Sequence, residues 1–353
     1  MNPTLVDVLR GATVESSHRG ALAVLDADGA VLATLGDIDR PIFPRSAVKV
    51  LQALPLVAHG AADALGLSDE ELALACASHN GEEAHTRVAA AMLAKAGLDV
   101  DALECGGHWP YLDTAARALA AQGREPTALH NNCSGKHAGF VCLACHMANR
   151  AAGNAPGSAN LRQFLRGYVK PGHPVMREVS AALQASTAFD LSRSPRGTDG
   201  CSIPTHAIPL RHLALAFARL GTGVGLSAEH ARAAQRLRSA VAAAPFMVGG
   251  SRKFDTQVMQ RLGERVFCKV GAEGVYCAAL PERGLGVAIK VDDGNNARAA
   301  EVVMAAVIEA LLPLAGDEAT FMRALSEVTL RNWNGTEVGQ LKATALLRSL
   351  GAG

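Results

Sequence analysis

Ala21-Leu-Ala-Val-Leu-Asp26 and Ala30-Val-Leu-Ala-Thr-Leu35 face one another across Ala27-Asp28-Gly29, and this pairing decides the fold class. Both runs are aliphatic. An Asp-Gly pair between two such runs is a strong hairpin signal, because glycine takes the positive φ that tight hairpin turns require. Working outward, residues 5–10 alternate, and near the other end of the chain 266–270, 275–280 and 285–291 read as three more strands broken by Gly and Pro. An antiparallel sheet built from both ends of the chain follows.

Between these segments the apolar residues recur at helical spacing. Helices are predicted over 46–59, with a kink at Pro55, and over 68–75, 82–96, 112–121, 136–149, 174–185, 210–220 and 228–243. Ser68-Asp-Glu-Glu71 is a capping box that marks the start of the second helix. The apolar stretch 302–314 contains Glu309 and is too short to span a bilayer, so it is expected to pack on the sheet as an amphipathic helix. The expected plan is α/β of the α+β type. Residues 1–45 and 255–353 form an antiparallel sheet domain packed with helices, 46–254 form a mainly helical insert, and the whole is one compact catalytic unit. The polar stretch Asn149-Arg-Ala-Ala-Gly-Asn-Ala-Pro-Gly-Ser158 is expected to be a mobile loop. Gly221-Thr-Gly-Val-Gly225 follows a helix rather than a strand, which argues against a nucleotide loop.

Composition narrows the function. At 353 residues, 49% hydrophobic and 19% charged, the chain is an ordinary globular protein, and a formal net charge of +1 without a Lys/Arg block gives no footprint for nucleic acid or an anionic membrane. Small-molecule chemistry is expected. The amino terminus lacks a positive leader and a continuous apolar core, so it is not read as a secretory signal, and the protein is placed in the cytoplasm, with a homodimer expected. Its eight cysteines are then expected to be reduced. Cys142-Leu-Ala-Cys145-His146 matches a haem-attachment spacing but lies within a helical run, so both cysteines read as core.

The chemistry begins at Ser46-Ala-Val-Lys49, directly after Phe43-Pro44-Arg45. Residues three apart on a helix share a face, so the Lys49 amine can take the Ser46 hydroxyl proton. A lysine base has to be desolvated or crowded by other cations. Two further elements follow in order: Ser78-His79-Asn80, a Ser-x-Asn, and Lys269-Val-Gly271, a Lys-x-Gly on an alternating strand. Penicillin-binding proteins and serine β-lactamases build one pocket from such a set, although Val270 departs from their usual Thr or Ser. His130-Asn-Asn-Cys-Ser-Gly-Lys-His137 and Thr198-Asp-Gly-Cys-Ser202 each present a cysteine in a polar loop and could share a zinc ion, or could be two unrelated loops. His79 and His85 read as loop and helix-surface residues.

Together, Pro44-Arg-Ser-Ala-Val-Lys49, Ala77-Ser-His-Asn-Gly-Glu82, Cys105-Gly-Gly-His-Trp-Pro110, His130 to Gly139, Asp199-Gly-Cys201, Lys269 to Tyr276 and Asp292-Asp-Gly-Asn-Asn296 closely resemble the asparaginase II family. These are the rhizobial-type, or class 3, L-asparaginases, similar in fold to serine β-lactamases and glutaminases. The resemblance implies L-asparagine as substrate and two serine-lysine tandems, Ser46 with Lys49 and Ser78 with Lys269. It also implies a zinc ion on Cys133, Lys136 and Cys201, with Asp199 adjacent. Within it, Ser46 is expected to attack the side-chain amide, Arg45 and His137 to orient the substrate, and backbone N–H groups ahead of the helix to stabilise the oxyanion. The competing readings are a glutaminase or β-lactam-type hydrolase using the same dyad, and a zinc-held binding or sensor protein with an inert serine.

Overall fold

The computed structural model describes residues 1–152 and 159–351. Of the stretch expected to be a mobile loop, 153–158 lie outside the described residues, while 149–152 close the helix Ser134–Ala152. The chain forms two compact units. One comprises Met1–Ala47, Ala207–Val224 and Arg265–Gly353; the other comprises Val48–His206 and Gly225–Glu264.

The first unit holds the sheet. Its eight strands are antiparallel, and the 14-residue strand Thr13–Asp26 joins the two halves. The first part of that strand, largely exposed, pairs with Thr4–Arg10; the second, buried from Gly20 to Leu25, pairs with Leu285–Val291 and with Val31–Leu35. The expected hairpin is present. Asp26 closes it, its carboxylate accepting the amides of Asp28 and Ala30, with Gly29 at φ 94°. Beyond Leu285–Val291 lie Val275–Leu280 and Phe267–Val270.

Two strands of this sheet were not expected. Glu327–Arg331 and Glu337–Ala343 form a hairpin that extends the sheet beyond Thr4–Arg10, with Asn332 Oδ1 accepting the amides of Asn334 and Thr336 in the turn. The late apolar stretch is the helix Glu301–Leu311, which packs on Gly316–Ser326 and on the strands Thr4–Arg10 and Glu337–Ala343.

The division differs from the expected one at two places. Leu210–Thr222 belongs with the sheet, not the helical insert, because it lies directly on the buried strands: a side chain at Gly286 would collide with the backbone of Ala214 and Ala218. Conversely, Phe254–Leu262 belongs to the helical unit, where it meets Phe246–Gly249 and Ala228–Ala243.

The helical unit is organised around Lys49–Ala58, against which Ser134–Ala152, Pro174–Thr187 and Ala228–Ala243 pack. Asp69–Ala75 starts at the predicted capping box, Ser68 N–H donating to Glu71 Oε2 at 2.7 Å. All eight cysteines are free and buried; Cys142 and Cys145 donate to the Met92 and Ala96 carbonyls from the helical core.

Candidate active site

In the sheet unit the chain turns sharply after Pro44. Arg45 adopts φ 52°, a left-handed conformation that is strained for a side-chain-bearing residue, and residues Arg45–Val48 form a 3₁₀ turn. The α-helix expected from Ser46 therefore begins only at Lys49. Ser46 thus lies in the 3₁₀ turn and Lys49 at the first position of the α-helix, so the two do not share one helix as the spacing argument assumed. The partner of this turn is the Lys269-Val-Gly271 segment. A Cβ on Gly271 would stand 2.5 Å from the Pro44 carbonyl oxygen and 3.3 Å from Ala47 Cβ, so only glycine allows the two backbones this approach. Lys269 is on a strand as expected and fully buried, its Nζ donating to Val270 O at 2.9 Å.

In the helical unit Lys49 is 1% exposed, and its Nζ donates to the carbonyls of Ala77 at 2.6 Å and Asn132 at 3.4 Å. These carbonyls immediately precede Ser78 and Cys133, so one amine reaches both motifs. Ser78 is held by its amide, which donates to Val248 O, and Asn80 by its amide on Gly249 O and its Nδ2 on Ser251 O, each at 2.9 Å. Glu82 completes the clamp, accepting Ser251 N–H at 2.8 Å and Ser251 Oγ–H at 2.7 Å. Gly250, at φ 95°, leaves no room for a side chain against His85 and Asn80. This Gly249-Gly250-Ser251 loop escaped the sequence reading, and its glycine pair was the signal available.

His79 lies in a loop and His85 on a helix, as read, but both are fully buried, which corrects the expectation that His85 faces the surface. They stack at 4.7 Å. Gly81 N–H donates to His79 Nδ1, so Nε2 carries the proton and donates to Ser134 Oγ at 2.9 Å. Burial first, then His85 and Lys49, hold His79 well below the ordinary histidine range. It is a neutral strut between the Ser78 loop and the helix Ser134–Ala152.

Cys133, Lys136 and Cys201 converge. Lys136 Nζ lies 3.0 Å from Cys201 Sγ, and all three residues are buried. The hydrogen bond with Cys201 takes the Cys133 thiol well below its ordinary range against the opposing effect of burial, with Lys136 and Lys49 adding to the shift. The same bond, together with burial, pushes Cys201 up. Burial would lower Lys136, but Cys133, Cys201 and then Asp199 outweigh it and raise its pKa. Asp199 sits in a tight turn, its amide on Ile203 O at 2.8 Å. Among the described residues no three His, Cys, Asp or Glu side chains gather into a metal site, so an ion here requires the lysine amine as a donor beside the two sulfurs. A thiolate, a second thiol and an amine suit a borderline-soft divalent ion such as zinc.

His137 follows directly in this helix. Tyr168 accepts the Glu104 amide at 2.9 Å and contacts His137 Nδ1 at 2.7 Å, so the phenol proton goes to Nδ1 and His137 carries its own on Nε2. That buried Nε2 has no partner among the described residues. Burial, then Lys136 and Lys49, keep the ring well below the ordinary range and so neutral. Tyr168 and Glu104, which set its tautomer, were not foreseen.

A family match over nearly the whole chain makes this α+β protein an enzyme of the amidohydrolase class. The chain belongs to the L-asparaginase II family, which it matches over residues 6–343. A sequence search of curated proteins gives no match. Among solved structures, Mglu in its tris and glutamate form is 15% identical, with 85% of this chain and 61% of that chain covered at a TM-score of 0.34. A β-lactamase from Mycobacterium bovis is 16% identical, with 80% of this chain and 90% of that chain covered at a TM-score of 0.35.

Proposed function

We infer that the protein hydrolyses L-asparagine to L-aspartate and ammonia through a serine acyl-enzyme. The observation that supports this reading is membership of the L-asparaginase II family, together with the strained turn at Arg45 in which Ser46 lies. Ser46 Oγ attacks the side-chain amide carbon, Lys49 takes the hydroxyl proton, ammonia leaves once protonated, and water releases aspartate from the ester. Ser78 and Lys269 form the second serine-lysine set, while Arg45 and His137 orient the substrate. The unpartnered Nε2–H of His137 supports its part in this. The enzyme is read as cytoplasmic and homodimeric. No helix among the described residues is long and apolar enough to cross a membrane.

Ammonia release from L-asparagine should exceed that from L-glutamine by at least about 100-fold in kcat/KM. One methylene in a pocket accounts for about 10- to 200-fold, and misplacing the amide relative to the nucleophile adds to it. Coupled ammonia assays on both amides test this, and comparable rates would make the protein a glutaminase instead.

Cys133, Lys136 and Cys201 would hold zinc, with Asp199 beside them. When bound, zinc supplies fixed positive charge that favours a substrate carboxylate. Cys133→Ser and Cys201→Ser should each lose bound zinc by elemental analysis and raise KM about 10- to 100-fold with a smaller change in kcat. Because the ligands must be deprotonated, and the sulfurs favour the ammonium form of Lys136, zinc content should also fall as pH is lowered. Full zinc occupancy in both variants would remove these ligands from consideration. Lost turnover at saturating asparagine in folded, metal-free protein would assign zinc to the chemistry.

A further inference from the structure

Asn296 opens a π-helical turn, Asn296–Ala300, between the strand Leu285–Val291 and the helix Glu301–Leu311. Such turns recur at functional sites. A chain of hydrogen bonds holds this one in place. His18, 6% exposed, contacts Asp293 Oδ2 through Nδ1 at 2.5 Å; Asp293 Oδ1 accepts the Asn295 amide at 3.0 Å; and Asn295 Oδ1 accepts the Arg298 amide at 2.9 Å. Asn296 itself donates Nδ2 to Gly271 O at 2.9 Å.

That last bond settles the amide's orientation, since only the NH₂ end can face a carbonyl. Oδ1 is then the remaining acceptor. It is buried, and among the described residues no donor reaches it. Buried side-chain acceptors are normally satisfied, so one held unsatisfied by three supporting hydrogen bonds is a position prepared for a donor. The Gly271 backbone it grips is the one pressed against Pro44 and Ala47, the turn that carries Arg45 and Ser46. Asn296 therefore belongs to the surroundings of the serine within the sheet unit.

L-Asparagine offers two kinds of N–H donor, its α-ammonium and its carboxamide. Arg45 suits the carboxylate and repels the ammonium, so the ammonium needs an oxygen acceptor elsewhere. The geometry points to Asn296 as the residue that accepts a hydrogen bond from the substrate's α-ammonium, a specificity-determining contact of the serine site. This rests on the asparaginase reading above, and it makes 2-amino-substituted carboxylates the preferred ligand class over the same acids lacking the amine.

Calorimetric titration of L-aspartate and of succinate, which differs only in lacking the amine, tests it independently of turnover. Wild type should prefer aspartate by about 10- to 100-fold, the range for one hydrogen bond to a charged group. Asn296→Ala should reduce that preference to about threefold or less while leaving succinate affinity within about twofold, whereas a general disturbance would weaken both ligands alike. Asn296→Leu matches the side chain in size but offers neither donor nor acceptor, and should lose the preference likewise; it decides the matter if the alanine protein does not fold. Wild type without a preference, or an unchanged preference in a folded Asn296→Ala or Asn296→Leu protein, would each overturn the inference. Ammonia release from L-asparagine by wild type is measured alongside. Its absence would refute the asparaginase reading, while its presence with an unaltered preference in Asn296→Ala would refute only the role of Asn296.

Discussion

Ser46→Ala should lower kcat for L-asparagine by about 10⁴-fold or more, because removing a nucleophile leaves only the contribution of binding and of hydrogen-bond donors at the site. The protein should still fold. Ser46 is half-buried, and what shapes its turn is the left-handed Arg45 and the glycine contact from Gly271, neither of which needs the hydroxyl. Exchanging Ser for Ala in such a position costs at most one modest hydrogen bond. Ser78 is the internal control. Its amide is tied to Val248 O and Lys49 Nζ donates to the Ala77 carbonyl just before it, so Ser78→Ala should impair turnover without removing the covalent intermediate. Rapid quenching followed by peptide mass spectrometry should find the aspartyl ester on the Ser46 peptide in both wild type and Ser78→Ala. Finding it on Ser78 would reverse the roles of the two serines, and a Ser46→Ala protein with near-normal turnover would end the proposed mechanism.

What could be read in the chain, and what could not, follows the range of the forces involved. The hairpin at Asp26 to Ala30 is set by local turn chemistry between two aliphatic runs, and the capping box at Ser68 is satisfied by a residue three positions away; both are visible in a single window of sequence. The strands Glu327–Arg331 and Glu337–Ala343 are partly exposed and carry Thr, Arg, Glu, Gln and Lys, so burial leaves only a faint mark on them. Their Asn334-Gly335 turn was the readable sign. The 3₁₀ turn at Arg45 depends on a glycine more than 200 positions later in the chain, and no local propensity predicts a left-handed arginine. Similarly, Lys136 and Cys201 meet across 65 residues, so spacing suggested two thiol loops while only family resemblance joined them. The burial of His79 and His85 is not legible locally, because polar residues between a turn and a helix usually face water; here each ring is stacked and hydrogen-bonded inside.

Lys49 is expected to be the second residue without which turnover collapses, and the choice of substitution separates its roles. Its stem is fully buried and its Nζ rests on two carbonyls, Ala77 O and Asn132 O. Lys49→Met fills nearly the same volume but strips the Ala77 and Asn132 carbonyls of a donor, a cost of about 1–3 kcal/mol that a chain of this size can absorb. The fold should therefore persist, with a change in melting temperature of a few degrees. Turnover should fall by about 10³- to 10⁴-fold, the span of a lost general base. Lys49→Arg supplies the contrast. A guanidinium keeps the positive charge and can still donate to the carbonyls, yet it does not give up its proton at any working pH, so it cannot serve as a base. If Lys49 acts by taking the Ser46 proton, the arginine protein should be about as inactive as the methionine one. If it acts only as fixed charge for the substrate carboxylate or for Cys133, arginine should restore most of the loss. Steady-state kinetics on the two variants, with circular dichroism to confirm folding, distinguish these outcomes, and recovery to about a tenth of wild-type kcat in Lys49→Arg would remove Lys49 from the proton transfer.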